Sequence, residues 1–177
     1  MKKLFLFMIL GALFMANSFS QTKSKTVVVY FSCTGNTERL ANTTAKALNA
    51  DILKIEPVQP YTNADLNWND KKSRSTIECN DAKSRPAIKP LDISKYDTII
   101  VAYPIWWYDA PKPVYTFVDN ANLSGKTIIP ICTSGGSGIG RSGTNLKKSC
   151  GKGNWKNGKL FNSRASEKEI KAFFKGL

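Results

Sequence analysis

Residues 26–49 read TVVVYF-SCTGNT-ERLANTTAKALN, and this stretch decides the fold. Thr26 to Phe31 is an apolar, β-branched run. Runs of that kind are buried on both faces of a parallel sheet rather than alternating in and out. The polar turn 32–37 follows at once, and from Glu38 to Asn49 the residues Leu40, Ala41, Thr44, Ala45 and Leu48 fall on one helical face. A strand that passes through a tight polar loop into a helix is the first half of a βαβ unit.

The alternation continues outward. Residues 51–56 (DILKIE) alternate like a strand, 98–103 (TIIVAY) form a second core strand, and 126–132 (KTIIPIC) a third. A proline-led helix over 111–118 follows the second core strand, and a helix over 141–149 follows the third. Residues 155–161 read as a weak strand. Ser166 caps a closing helix to residue 174, with Glu169 completing a capping box. The polar stretch 57–90 holds four prolines and the lone Trp68; its weak pattern allows one helix near 63–81. Strand–helix alternation of this kind predicts a doubly wound α/β domain with helices on both faces of a parallel sheet.

Composition narrows the chemistry. The chain has 177 residues and no histidine, which excludes a Ser-His-Asp or Cys-His nucleophile, a histidine base and most transition-metal sites. Four cysteines (Cys33, Cys79, Cys132, Cys150) include no CxxC pair, so three disulfide pairings stay open and a zinc site has no support. If a bridge forms, Cys79 with Cys150 is the first to test, only because both sit in less regular segments.

The first twenty residues have another purpose. Met1-Lys2-Lys3 is a basic start, and Leu4 to Ala16 runs thirteen residues without a charge. That is too short for the about 20 residues a membrane-spanning helix needs, and it has the dimensions of a signal-peptide core. We expect cleavage after Ser20, export to the periplasm or medium, no stable membrane anchor afterwards, and a single domain over 21–177. Losing two lysines with the leader lowers the formal charge from +13 to +11. Apart from a modest cluster at 147–159 the lysines are dispersed, so this charge is a solvated surface and no nucleic-acid partner is expected.

Three loops at the ends of the core strands carry the unusual residues. In doubly wound sheets ligands sit beyond the carboxyl ends of the strands. Ser32, Thr34, Gly35, Asn36 and Thr37 offer hydroxyls, an amide and backbone N–H groups before a helix, the makings of an anion site without a lysine or arginine. Taken alone, such a loop is also compatible with a merely well-capped turn. Pro104, Ile105, Trp106, Trp107 and Tyr108 set three aromatics in succession where a strand ends; at least one must be exposed, a stacking surface for a flat ring. Ser134, Gly135, Gly136 and Ser137 begin a glycine-rich loop that lets backbone approach a ligand closely.

Together the loops SCTGNT, YPIWWYDAP and CTSGGSGIG, in this order, resemble the flavodoxin family, in a bacterial branch with a Trp-Trp loop. The resemblance covers about residues 26–175 and implies a five-stranded sheet of order 2-1-3-4-5 binding FMN non-covalently. By position, residues 32 and 34–37 would hold the FMN phosphate. Pro104 to Tyr108 would flank the ring, with Trp106 or Trp107 against its face, and 134–137 would close its far side. The resemblance implies electron transfer or an FMN-dependent reductase, with a redox partner protein or a small electron acceptor. A phosphate-binding module without redox chemistry, and a basic protein binding anionic polymer, are the alternatives. Tyr108 stands where the branch commonly has glycine. A tyrosine there is expected to resist positive φ, and with it the one-electron cycling that such a backbone favours.

Overall fold

A computed structural model describes residues 25–177. The expected leader, 1–20, lies outside the described residues. The chain forms β1 (Thr26–Tyr30), α1 (Asn36–Leu48), β2 (Asp51–Lys54), α2 (Arg74–Asn80), β3 (Thr98–Pro104), α3 (Lys112–Asn120), β4 (Thr127–Thr133), α4 (Ser142–Cys150), β5 (Asn154–Trp155), β6 (Lys159–Leu160) and α5 (Glu167–Lys175). All strand pairs in the sheet are parallel, in the order β2-β1-β3-β4-β5. This is the doubly wound 2-1-3-4-5 arrangement.

The fifth position is split between two short strands. β5 pairs with Thr127 and Ile128 of β4, and β6 pairs with Ile131 and Cys132. The gap falls opposite Pro130, which has no N–H to give the neighbouring strand. Gly158, between the two pieces, passes so close that a Cβ on it would lie 2.6 Å from the Pro130 carbonyl oxygen. The weak strand over 155–161 is therefore real but interrupted.

The sheet divides the core into two layers, and the apolar runs explain how. Val27, Val29, Ile99, Val101 and Ile128 face one way, joined by Val114, Phe117 and Val118 of α3 and Leu146 of α4. Val28, Tyr30, Ile100, Ala102, Ile129 and Ile131 face the other, covered by Leu40, Ala41 and Ala45 of α1 and Ile170 of α5. Period-2 side chains on a strand buried on both faces produce this split from an unbroken apolar sequence. At the closing helix the expected capping box is present, Ser166 and Glu169 each bonding the other's backbone N–H.

The long connection between β2 and β3 departs from expectation. Only Arg74–Asn80 is helical, with Ser73 as N-cap. Upstream, short polar side chains take their own backbone into turns: Asp65 accepts from Thr62 N–H at 2.8 Å, Asn67 from Asn69 N–H at 3.2 Å, and Asp70 from Lys72 N–H at 2.8 Å. Such local bonds compete with helix. All four cysteines are free thiols, and β3 lies between β1, which leads into the Cys33 loop, and β4, which carries Cys132. The Cys79–Cys150 bridge is thus not formed. Burial pushes the Cys79 and Cys132 thiols up to about 12, so both are protonated at neutral pH.

Ile100 is fully buried at the middle of the central strand β3. Ile100→Ala should lower unfolding free energy by about 2–5 kcal/mol in denaturant titration, the usual cost of a core cavity.

Candidate functional site

The carboxyl ends of β1, β3 and β4 open onto one cavity of about 750 Å³. Its walls include every residue singled out from the sequence in the three loops except Gly35: Ser32, Thr34, Asn36 and Thr37 from the first, 104–108 from the second, 134–137 from the third. Gly35 shapes the first loop rather than lining the cavity. It is the N-cap of α1 with φ 81°, a left-handed conformation that costs glycine little, and no side chain caps the helix. Among the described residues, the first N–H groups of α1 are therefore left open beside the cavity, where the helix dipole is positive.

Beneath them the loop is tied down by its own hydroxyls. Ser32 Oγ accepts from Gly35 N–H at 3.2 Å, and the buried Thr37 hydroxyl bonds the Thr133 hydroxyl at 2.8 Å, joining the first loop to the end of β4. In the third loop Ser134 Oγ accepts from Ser137 N–H at 2.9 Å, closing a tight turn that leaves Gly135 and Gly136 at the cavity wall. Cys33 is exposed in the first loop. Desolvation by the surrounding loops raises its thiol to about 11, against the pull of nearby Lys54 and Arg74.

The aromatic loop is a two-residue hairpin. Trp106 and Asp109 exchange both backbone hydrogen bonds at 2.9 Å, and the residues between them, Trp107 and Tyr108, have φ 46° and 63°. Two positive φ values are the pattern of a type I′ turn, which normally takes Asn-Gly. Tyrosine at 108 therefore adopts positive φ in spite of its cost, contrary to the expectation from sequence, so its presence gives no ground for excluding one-electron cycling. The physical reason lies in what surrounds the turn. Asp109 accepts from Ala110 N–H at 2.8 Å, Tyr115 O–H at 2.8 Å and Asn145 Nδ2–H at 3.1 Å, so the hairpin's end is over-determined. Strain of about 1–2 kcal/mol per residue persists only under such restraint.

The three aromatics divide their tasks. Trp106 packs edge-on against Phe31 and Tyr61, each with centroids 5.5 Å away, and belongs to the wall. Trp107 is 37% exposed and Tyr108 80% exposed, so these two line the cavity while staying open to solvent.

Sequence reasoning missed a fourth wall. Leu66, Trp68 and Ser75, from the β2–β3 connection, line the same cavity, as do Asn162 and Ser163 ahead of α5. Trp68 was the available signal: a tryptophan isolated among polar residues is 73% exposed here. The connection is clamped against the aromatic loop. Tyr61 donates to Glu78, Arg74 bonds Glu78 at 2.7 Å, and the Arg74 guanidinium lies 4.1 Å from the Tyr61 ring centre. Among the described residues no group of three or more acidic, cysteine or histidine side chains could hold a metal, and no helix is long and apolar enough to cross a membrane.

Set beside known proteins, residues 25–177 match the flavodoxin family model. A crystallised Bacteroides eggerthii protein, described provisionally as a flavoprotein, is 48% identical over 87% of this chain and 98% of its own, with TM-score 0.83. A Bacteroides uniformis protein of the same description is 43% identical over 86% and 98%, with TM-score 0.81. A Lactobacillus acidophilus flavoprotein solved in complex with FMN shares the fold at 17% identity, covering 86% and 99%, with TM-score 0.65. No curated protein matches the chain.

Two outcomes follow from the hairpin and the buried phenols. Tyr108→Gly should leave the ligand-free protein as stable as before or more so by up to about 1 kcal/mol, since relief of left-handed strain outweighs glycine's extra chain entropy. Chemical denaturation checks this, and a loss beyond 1 kcal/mol would make the ring a structural anchor. Burial, first of all, raises the Tyr30 hydroxyl to about 12 and pushes those of Tyr61, Tyr103 and Tyr115 higher still. Phenol pKa values raised in the folded protein favour the native state while the phenols are protonated. That contribution is complete below about pH 10, the unfolded value, and is lost as pH climbs towards and past 12. Circular dichroism and tyrosinate absorbance should therefore change together in strong alkali, with no tyrosinate signal from these residues before unfolding.

Proposed function

This chain belongs to the flavodoxin family, and from that premise we propose that it is an FMN-binding redox protein, acting in electron transfer or as an FMN-dependent reductase. The observation that carries this reading is the convergence of an uncapped helix start, an exposed aromatic pair and a glycine turn on one cavity. Each part fits one part of FMN. The open N–H groups of α1, with Thr34, Asn36 and Thr37, suit a phosphate held by neutral donors. Trp107 and Tyr108 suit the faces of a flat ring. Ser134 to Ser137 bring backbone close enough to serve the ring's polar edge. A cavity of about 750 Å³ is of ligand size.

FMN, when bound, supplies the electron or hydride chemistry itself. The chain's own work is to bind, orient and shield. The bond between Thr37 and Thr133 keeps the phosphate loop at a fixed distance from the third loop. The Asp109 network holds Trp107 and Tyr108 in one conformation, so little ordering remains to be done on binding. No acid or base side chain is needed at the site, in keeping with a chain that has no histidine. The dispersed positive charge suits an acidic redox partner or a small anionic acceptor. The basic start and short apolar run of the first twenty residues support an exported protein, in the periplasm or medium.

Purified from native expression, the protein should carry flavin absorbance. Thr34→Ala or Asn36→Ala should weaken FMN binding by about 1–2 kcal/mol in fluorescence titration, through lost hydrogen bonds to a charged group. Unchanged affinity in both variants would remove the phosphate from this loop.

A further inference from the structure

Among the described residues one buried side-chain oxygen or nitrogen lacks a hydrogen-bond partner: the hydroxyl of Ser75. Ser75 is 1% exposed, and it lines the cavity. Native interiors seldom leave a buried hydroxyl unpaired, because the group has given up water and gained nothing in return. Its neighbours are all satisfied. Ser73 Oγ donates to Thr76 Oγ1 at 2.8 Å and accepts from Thr76 N–H. Ser75 N–H donates to the Asp65 carbonyl at 3.0 Å.

The usual local remedy is not taken either. A helical serine can turn its hydroxyl back to a carbonyl three or four residues earlier, as Thr44 does to Leu40, but Ser75 does not. Nor is the position slack. The Arg74–Glu78 pair, the Arg74 bond to the Gln59 carbonyl at 2.8 Å and the packing of Tyr61 on Trp106 fix this segment against the cavity. Ser75, its hydroxyl unpaired, is therefore held in a segment that lines a ligand site.

We propose that Ser75 Oγ is a ligand-binding group: it hydrogen-bonds bound FMN, so that the β2–β3 connection supplies a fourth binding wall beside the three strand-end loops. This rests on the FMN reading above and extends it to a residue outside those loops. It also explains why the connection is clamped to the aromatic loop: a hydrogen bond of this kind is useful only if its donor stays within tenths of an ångström of its place.

The test compares wild type, Ser75→Ala and Ser75→Cys by fluorescence titration with FMN and, in parallel, with riboflavin, together with thermal unfolding of the ligand-free and FMN-loaded proteins. Ser75→Ala should raise the FMN Kd about tenfold. The ligand-free protein should melt at the wild-type temperature or above, because the substitution removes an unpaired buried hydroxyl. The stabilisation that saturating FMN confers should shrink accordingly. A serine needed only for folding would give the opposite pattern, a lowered ligand-free midpoint with unchanged affinity. A loss seen with FMN alone assigns the bond to the phosphate; an equal loss with riboflavin assigns it to the rest of the molecule, and either supports the proposal. Ser75→Cys, nearly the same size with a weaker donor, should fall between the two, and carries the comparison if the alanine variant does not fold. An FMN Kd within twofold of wild type in the variants overturns the assignment of Ser75 while leaving the FMN reading intact. A wild-type chain that does not bind FMN overturns both.

Discussion

Strand β3 pairs with β1 on one side and with β4 on the other, in unbroken parallel register, and the site hangs from that pairing. Thr26 to Tyr30 stand opposite Thr98 to Ala102, and Thr98 to Pro104 opposite Thr127 to Thr133. Parallel strands in register end at one edge of the sheet, so the three loops that leave them start side by side. The pairing continues into the site: Ile105 N–H donates to the Thr133 carbonyl at 2.8 Å, and the Thr37 and Thr133 hydroxyls close the gap between first and third loops. A slip of one residue would turn each strand's side chains to the opposite face and separate loops that must meet.

What the sheet brings together, local strain then shapes. Two bulky aromatics occupy the left-handed positions of a tight hairpin, where glycine or asparagine is the inexpensive choice. The turn is held by two backbone bonds at its base and by one carboxylate that collects three donors. Restraint of this density is the condition under which strained backbone survives. Its effect is that Trp107 and Tyr108 stand outward at the cavity mouth while Trp106, their neighbour in sequence, is packed in the wall against Phe31 and Tyr61. The same aromatic contact passes through Tyr61 to Arg74 and Glu78, so hairpin and β2–β3 connection form one rigid rim.

Much of this was legible beforehand, for reasons that are local. An apolar β-branched run between polar turns states a doubly buried strand, and helical periodicity states which face of α1 is covered. Serine three residues before glutamate states the start of α5. The residues of the three loops could be grouped because strand ends in a parallel sheet share an edge, whatever the loops contain. Where local signals conflicted, the reading failed. The helix expected near 63–81 forms only over Arg74–Asn80, because upstream Asp and Asn side chains bond their own backbone instead. Tyr108 looked unable to adopt positive φ because intrinsic preference was the only information available.

The sequence by itself determined the layered α/β fold, its core strands and the three loops, since each depends on periodicity or on residue types within a few positions of one another. Tertiary structure alone decided the rest. The break in the fifth strand answers to Pro130 across the sheet, and the conformation of Trp107 and Tyr108 answers to Tyr115 and Asn145 beneath the hairpin. Ser75 lines the cavity because α2 is tied through Arg74, Glu78 and Tyr61 to an aromatic loop some thirty residues further on. Such outcomes are set by which distant groups share a boundary once the sheet has formed, and no property of a single segment contains them.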